Sequence, residues 1–200
     1  MKIDIISHYL DTYAMGVFPM ADARDADEIY WVQPEMRGII PLDKFNVPRS
    51  LKNFMKTCDY YVTINEAFEE VIHACAEIPR HHETNTWING EIESVFITLH
   101  HAGHAHSIEI WDRKNGELVG GLYGLAQGGC FNGESMFSRA QNTSKIALVH
   151  LVEHLNTKGF SLLDTQFIND HLKQFGCIEI SHDDYMRMLH AALKQDVIFL

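Results

Sequence analysis

Between residues 105 and 166 the chain carries a succession of patterns that few folds satisfy together. Runs at 105–111, 118–126, 129–134 and 162–166 read as strands, broken by the turn signals Asn115-Gly116 and Gly128-Gly129. Asn-Gly tolerates the positive φ that tight hairpin turns require, so the first two runs predict a hairpin. Between the third and fourth runs lies a long helix. Thr143 or Ser144 can cap its start, Leu148, Leu151, Val152 and Leu155 share one face, and Gly159 stops it. A strand follows at once. Consecutive strands, then a helix returning into a strand, predict an α+β fold with helices on the faces of a sheet.

The flanking segments add helical material. Ile5, Ile6, Tyr9, Leu10 and Tyr13 recur at helical spacing and predict a helix over 7–16, which Phe18-Pro19 follows and breaks. An acidic stretch at 22–28 reads as a solvated loop, and strand-like pieces at 29–32 and 38–41 complete a small N-terminal α/β unit. The expected division is 1–45 and 46–200. After Pro48 a helix over 49–56 places Arg49, Lys52 and Lys56 on one face. A strand over 60–64 precedes a helix that Asn65 can cap and Pro79 can end, with Phe68, Val71, Ile72 and Cys75 on its apolar side. A helix over 89–101 stops before Gly103. The tail reads as a helix at 169–175, a strand at 177–180 and a helix at 183–194.

Composition narrows function by exclusion. The 200 residues, 46% hydrophobic, suffice for a substantial core. No apolar run approaches the ~18–20 residues of a membrane helix, and the first residues lack a signal-peptide pattern, so a cytoplasmic protein without membrane partners is expected. Cys58, Cys75, Cys130 and Cys177 form no Cys-x-x-Cys pair and suit a reducing compartment. A formal charge of −11 opposes wholesale wrapping of nucleic acid and favours a cationic partner. Any RNA contact must therefore be local, as along the basic face of 49–56. His100, His101, His104 and His106 crowd one turn without carboxylate or thiolate at ligand spacing, so no metal is expected; His106 reads as a hydrogen-bonding structural residue and His81 and His82 as exposed.

Several separated motifs then occur in order along nearly the whole chain. They are Phe18-Pro19, Trp31-x-x-Pro34, Arg49-Ser50-Leu51, Thr86-Trp87-Ile88, His104-Ala-His-Ser-x-Glu109, Leu118-Val-Gly-Gly-Leu-Tyr-Gly124, Phe131-Asn-Gly-Glu-Ser-Met-Phe-Ser138, Ser144-Lys145-x-Ala147-Leu148, Asp164-x-Gln166 and His171-Leu172. In these the chain resembles the leucyl/phenylalanyl-tRNA–protein transferases. The resemblance implies a GNAT-like mixed sheet flanked by helices beside a small N-terminal domain. It implies transfer of Leu or Phe from Leu-tRNA or Phe-tRNA to the N-terminal α-amine of proteins beginning with Lys or Arg, which marks them for proteolysis, with neither metal nor other cofactor. A monomer is expected. Met20 stands where the family commonly has Trp, and Thr165 where it has Cys.

Roles follow for particular residues. Asp164 and Gln166, two apart at a strand end, are expected to share a face, the carboxylate accepting or relaying a proton and the amide positioning the amine or oxyanion. Each also has a bland reading, as a turn cap and a satisfied core amide. Glu134 is the third catalytic candidate, holding an ammonium or orienting the acceptor, against an ion pair with Lys145 or Arg139. Leu122, Phe131, Met136, Phe137, Leu151 and Leu163 are the candidates for an apolar cup that takes Leu or Phe and admits Met. For tRNA, Trp31 and Trp87 can stack on the terminal adenine, Ser144 and Lys145 can present a helix N-terminus to phosphate or ribose, and Arg49, Lys52 and Lys56 can meet the acceptor stem. Core packing, capping and a solvated helix face are the competing readings. Two other functions fit the same pattern, an acyl-CoA-dependent N-acyltransferase and a non-catalytic binder of basic N-termini.

Overall fold

A computed structural model describes residues 4–77 and 86–200 of the chain. In it the long β-patterned runs become β5 (Ala105–Asp112), β6 (Leu118–Gln127), β7 (Cys130–Ser138) and β8 (Leu162–Gln166), with α5 (Thr143–Lys158) before β8. β5 and β6 form the expected hairpin, with Gly116 at φ 71° in its turn. With β3 (Met36–Ile40), β4 (Tyr60–Ile64) and β9 (Ile178–Ser181) these strands make one seven-stranded sheet in the order β4-β5-β6-β7-β8-β3-β9. β7 and β8 run parallel and the other neighbours antiparallel.

Alternation of side chains along each strand sorts the core into layers. Ile40, Phe131 and Leu163 point to the face covered by α5, where they join Leu148, Leu151, Val152 and Leu155. Their neighbours Ile39, Cys130 and Leu162 point the other way, against Tyr185, Leu189 and Ala192 of α7 (His182–Ala192). A third cluster joins α1 (Ile5–Ala14), α3 (Phe68–Glu77) and α4 (Gly90–His101) to Tyr123, Leu125 and Phe137 of β6 and β7. α2 (Arg49–Met55) packs against α5, and α6 (Asp170–Lys173) precedes β9.

Three local expectations are corrected. The strand read at 38–41 does not stay with the N-terminal unit: as β3 it lies between β8 and β9, and among the described residues only β1 (Phe18–Met20) and β2 (Tyr30–Val32) pair separately. Asn65 does not cap α3; at φ 61° its amide serves the Ser107 N–H and the His106 ring instead. Neither Thr143 nor Ser144 is the cap of α5. Asn142 takes that position in the left-handed region without a side-chain bond, and Ser138 at the end of β7 accepts the Ser144 N–H at 2.9 Å. Gly159 does end α5 in the left-handed conformation, as expected. Pro79, His81 and His82 lie outside the described residues.

Candidate active site

The site begins where two parallel strands part. β8 pairs with β7 only at Leu162 to Cys130, Leu163 to Phe131 and Asp164 to Asn132. β7 then runs on to Ser138 while β8 ends at Gln166. On the other side of β7 the register with β6 slips by one residue, Tyr123 facing Ser135 and Gly124 facing Gly133, so Glu134 is the extra residue of a β-bulge. A bulge re-aims its side chain out of the regular alternation. The end of β8 is irregular too: Gln166 has φ 55°, its N–H is accepted by Asp164 Oδ1 at 2.8 Å, and the Phe167 N–H closes onto Thr165 O at 2.6 Å. This is a γ-turn of the rarer, strained hand.

The gap so formed is a cavity of about 510 Å³ lined from both faces of the sheet. On the α5 side its wall is apolar, with Leu122, Met136, Leu148, Leu151, Leu163 and Leu172. Toward the other face stand Tyr123, Glu134, Ser135 and Phe137, and the rim carries Ser144, Thr165, Gln166, Asn169 and His171. His171 Nε2 is buried without a hydrogen-bond partner among the described residues, and burial, then nearby Lys145, hold the ring's pKa below its ordinary value.

Glu134 is 8% exposed and accepts from Gln166 Nε2 at 3.3 Å. Burial pushes its carboxyl up to about 8; Asp164 adds to the rise, while the Tyr13 hydroxyl and Arg37 hold it back. Tyr13, brought in by α1, lies toward Glu134 beyond strict hydrogen-bond geometry. Glu134 thus titrates near neutrality inside the cavity, where a proton acceptor for an amine has to work. The ion pair with Lys145 or Arg139 does not form. Arg139 instead donates to Leu118 O and lies over Phe137.

Asp164 is placed differently from the expectation. It does not open to the cavity beside Gln166: it is 0% exposed and turned toward α7. Arg37 of β3 grips it, Nε at 2.9 Å from Oδ1 and Nη2 at 2.6 Å from Oδ2, while Tyr185 donates to Oδ2 at 2.8 Å and the Gln166 backbone to Oδ1. The guanidinium lies between the rings of Phe18 and Tyr185, at 4.6 and 4.5 Å, and its Nη1 donates to Gly16 O. Its burial works against the charge, but Asp164 and its neighbours outweigh that and raise its pKa. The period-two argument failed because Gln166 leaves the extended conformation.

With this geometry in hand, comparison with known proteins is decisive. The leucyl/phenylalanyl-tRNA protein transferase family model matches residues 39–190, and the model of that family's N-terminal domain matches 10–35. The chain belongs to the leucyl/phenylalanyl-tRNA protein transferase family. Proteins of that name from Rhizorhabdus wittichii and Paramagnetospirillum magneticum are 53% and 50% identical, over 92% and 95% of this chain and 73% and 90% of their own. One from Hyphomonas neptunium is 52% identical over 92% of this chain and 70% of its own. The chain is accordingly an aminoacyltransferase that uses aminoacyl-tRNA and protein substrates. Among solved structures, FemX aligns with a TM-score of 0.56 at 13% identity, covering 86% of this chain and 65% of that one. L-PGS from Bacillus licheniformis aligns with a TM-score of 0.51 at 11% identity, covering 81% and 66%. The chain spans just under two thirds of those two structures, and the likeness concerns the fold, the GNAT-like mixed sheet flanked by helices.

Within this transferase the remaining predicted residues fall into place as follows. Of the six cup residues, Leu122, Met136, Phe137, Leu151 and Leu163 line the cavity, whereas Phe131 is buried behind it against Phe199, 5.3 Å between ring centroids. Leu148 and Leu172 line it as well; the helical face had marked Leu148 only as core. Ser144 is at the rim and Lys145 half-buried beside it. Arg49, Lys52 and Lys56 are exposed on α2. Trp31 and Trp87 are half-buried against the cluster around α1, Trp31 with its ring 5.1 Å from Tyr9, and neither lines the cavity. His100 stacks on Phe68, and His106 is held by Asn65 and stacks on Phe199. Arg37 was missed altogether; its signal was a lone charge inside the apolar strand Met36-Arg-Gly-Ile-Ile40, which needs a buried partner.

Proposed function

We propose that the chain moves leucine or phenylalanine, and also methionine, from the 3′ end of aminoacyl-tRNA to the N-terminal α-amine of cytoplasmic proteins beginning with Lys or Arg, marking them for degradation. The observation that carries this reading is the cavity at the β7–β8 gap, with a deformable leucine and methionine wall on one side and the Glu134–Gln166 pair on the other. A pocket of this kind separates Leu, Phe and Met by only ~1–3 kcal/mol, so a narrow preference is not expected.

The chemistry needs few groups. Glu134 takes one proton from the acceptor ammonium, and the free amine attacks the ester carbonyl, forming the C–N bond. As the bond to the ribose 3′ oxygen breaks, that oxygen receives a second proton from the nitrogen, and Glu134 returns its own to solvent. Gln166 orients the amine and the developing oxyanion with its amide. The exposed basic residues Arg49, Lys52 and Lys56 sit on α2, which packs on α5, whose first turn reaches the rim at Ser144; this supports a salt-sensitive tRNA track leading to the cavity. The formal charge of −11 suits a cationic acceptor.

The test is to mix the protein with labelled Phe-tRNA or Leu-tRNA and peptides headed by Arg, Lys or Asp. Label is expected on the Arg- and Lys-headed peptides. No label from either tRNA, or label transferred from an acyl-CoA instead, removes the reading.

A further inference from the structure

Arg37 and Gly38 fall between the two segments that match the family models, residues 10–35 and 39–190. The structure nevertheless ties Arg37 to both Asp164 oxygens and sets Gly38 close against the backbone that follows β8. Both Asp164 oxygens are occupied. Oδ1 receives Arg37 Nε and the Gln166 N–H, and Oδ2 receives Arg37 Nη2 and the Tyr185 hydroxyl. A carboxylate whose acceptor positions are all filled, with no exposure to the cavity, cannot reach an amine. What it can do is hold the Gln166 backbone in a conformation that a non-glycine residue adopts at some expense. Gly38 completes the arrangement, because a Cβ there would stand 2.7 Å from the carbonyl carbon of Phe167 and 2.9 Å from Ile168 N.

We infer that Arg37 and Tyr185 are positioning residues of the transferase: they fix Asp164 as a hydrogen-bond cap on the Gln166 backbone and so aim the Gln166 amide at Glu134 in the cavity. Asp164 is then a positioning residue as well, and the proton acceptor is Glu134. The activity arm of this inference rests on the function proposed above; its structural arm does not.

The experiment compares wild type with Arg37→Ala, Tyr185→Phe and Asp164→Asn in single-turnover transfer from Phe-tRNA to an Arg-headed peptide, across pH. Arg37→Ala should lower the transfer rate about 100-fold with little change in half-saturation by Phe-tRNA, as expected for misplacing a reacting group by about an ångström. Added methylguanidinium, entering the slot between Phe18 and Tyr185, should restore about a tenth or more of the wild-type rate. Tyr185→Phe keeps every charge and should lose about five-fold, with the pH midpoint unmoved. The groups acting on Glu134 are Tyr13 from α1, Asp164 from β8 and Arg37 from β3. Asp164→Asn removes one of them, so the pH limb should shift downward and persist. Disappearance of that limb in Asp164→Asn makes Asp164 the titrating acceptor and overturns the inference, as does an unchanged rate in both Arg37→Ala and Tyr185→Phe. Should wild type fail to transfer, the proposed function falls, and crystal structures of Arg37→Ala and Tyr185→Phe decide the structural arm. Gln166 is expected to leave φ 55° in at least the former, or in the latter if Arg37→Ala does not fold. Retention of that angle in the variants that fold refutes the clamp.

Discussion

Glu134 sits on a bulge, inside the sheet, and among the described residues no cation is bound to it beyond the field of Arg37. Its raised pKa has a thermodynamic consequence. Below its ordinary 4.5 the group is protonated in both folded and unfolded chains; between 4.5 and about 8 only the folded chain keeps the proton. Stability therefore falls as pH rises through that window, by up to about 1.4 kcal/mol per pH unit from this group. Glu134→Gln removes the penalty. The variant is expected to gain on wild type steadily between pH 4.5 and 8 in urea midpoints, while its transfer rate drops by about 100-fold or more. A second residue-scale prediction separates lining from packing. Met136→Ala enlarges the cavity and should shift preference from Leu toward Phe by several fold. Phe131→Leu lies behind the wall, so it should lower stability by about 1 kcal/mol and leave preference alone. The sequence marked Glu134 as an acid among apolar neighbours, but the nearby Tyr13 hydroxyl that acts on its charge was unreadable, because Tyr13 lies 121 residues upstream on another element.

At the scale of elements, β3 does more than fill the sheet. It pairs with β8 on one side and β9 on the other, and its register slips between Gly38 and Ile39, beside the Gln166 turn. Gly38→Ala puts a methyl group against backbone atoms of Phe167 and Ile168 that have little freedom to move. Transfer is expected to fall about 10- to 100-fold, with a smaller change in melting temperature than a core truncation gives. On α2, replacing Arg49, Lys52 and Lys56 together by Ala should weaken aminoacyl-tRNA binding at low salt and flatten its salt dependence by about three charges, leaving the rate at saturation near wild type. A filter-binding titration at several salt concentrations reads both. Elements with a strong local period were legible: the strands 105–111 and 118–126, the long helix and its Gly159 stop differ from the structure by a residue or two. N-terminal caps were not, since Ser138, and not Thr143 or Ser144, accepts a first-turn N–H of α5, and Asn65 serves Ser107 in place of α3.

For the molecule as a whole, the α+β class followed from the order of patterns, and the family from motifs strung along the chain. The topology did not. Placing β3 between β8 and β9 is a long-range pairing that no local window contains, and it moved a strand from the N-terminal unit into the main sheet. That same pairing brings Arg37 to Asp164, 127 residues apart, which is why the partner of that carboxylate could not be read locally. The cavity likewise exists only because β7 and β8 separate after three pairs, which opens a passage between an apolar face and a polar one. If transfer occurs there with Glu134 as acceptor, most of the rate should depend on that one cavity carboxylate. The direct measurement is the pH profile of single-turnover transfer from Phe-tRNA to an Arg-headed peptide, for wild type and Glu134→Gln. The rate should rise through a midpoint near pH 8 in wild type and fall by about 100-fold or more across the range in the variant; a variant rate within a few fold of wild type contradicts the account.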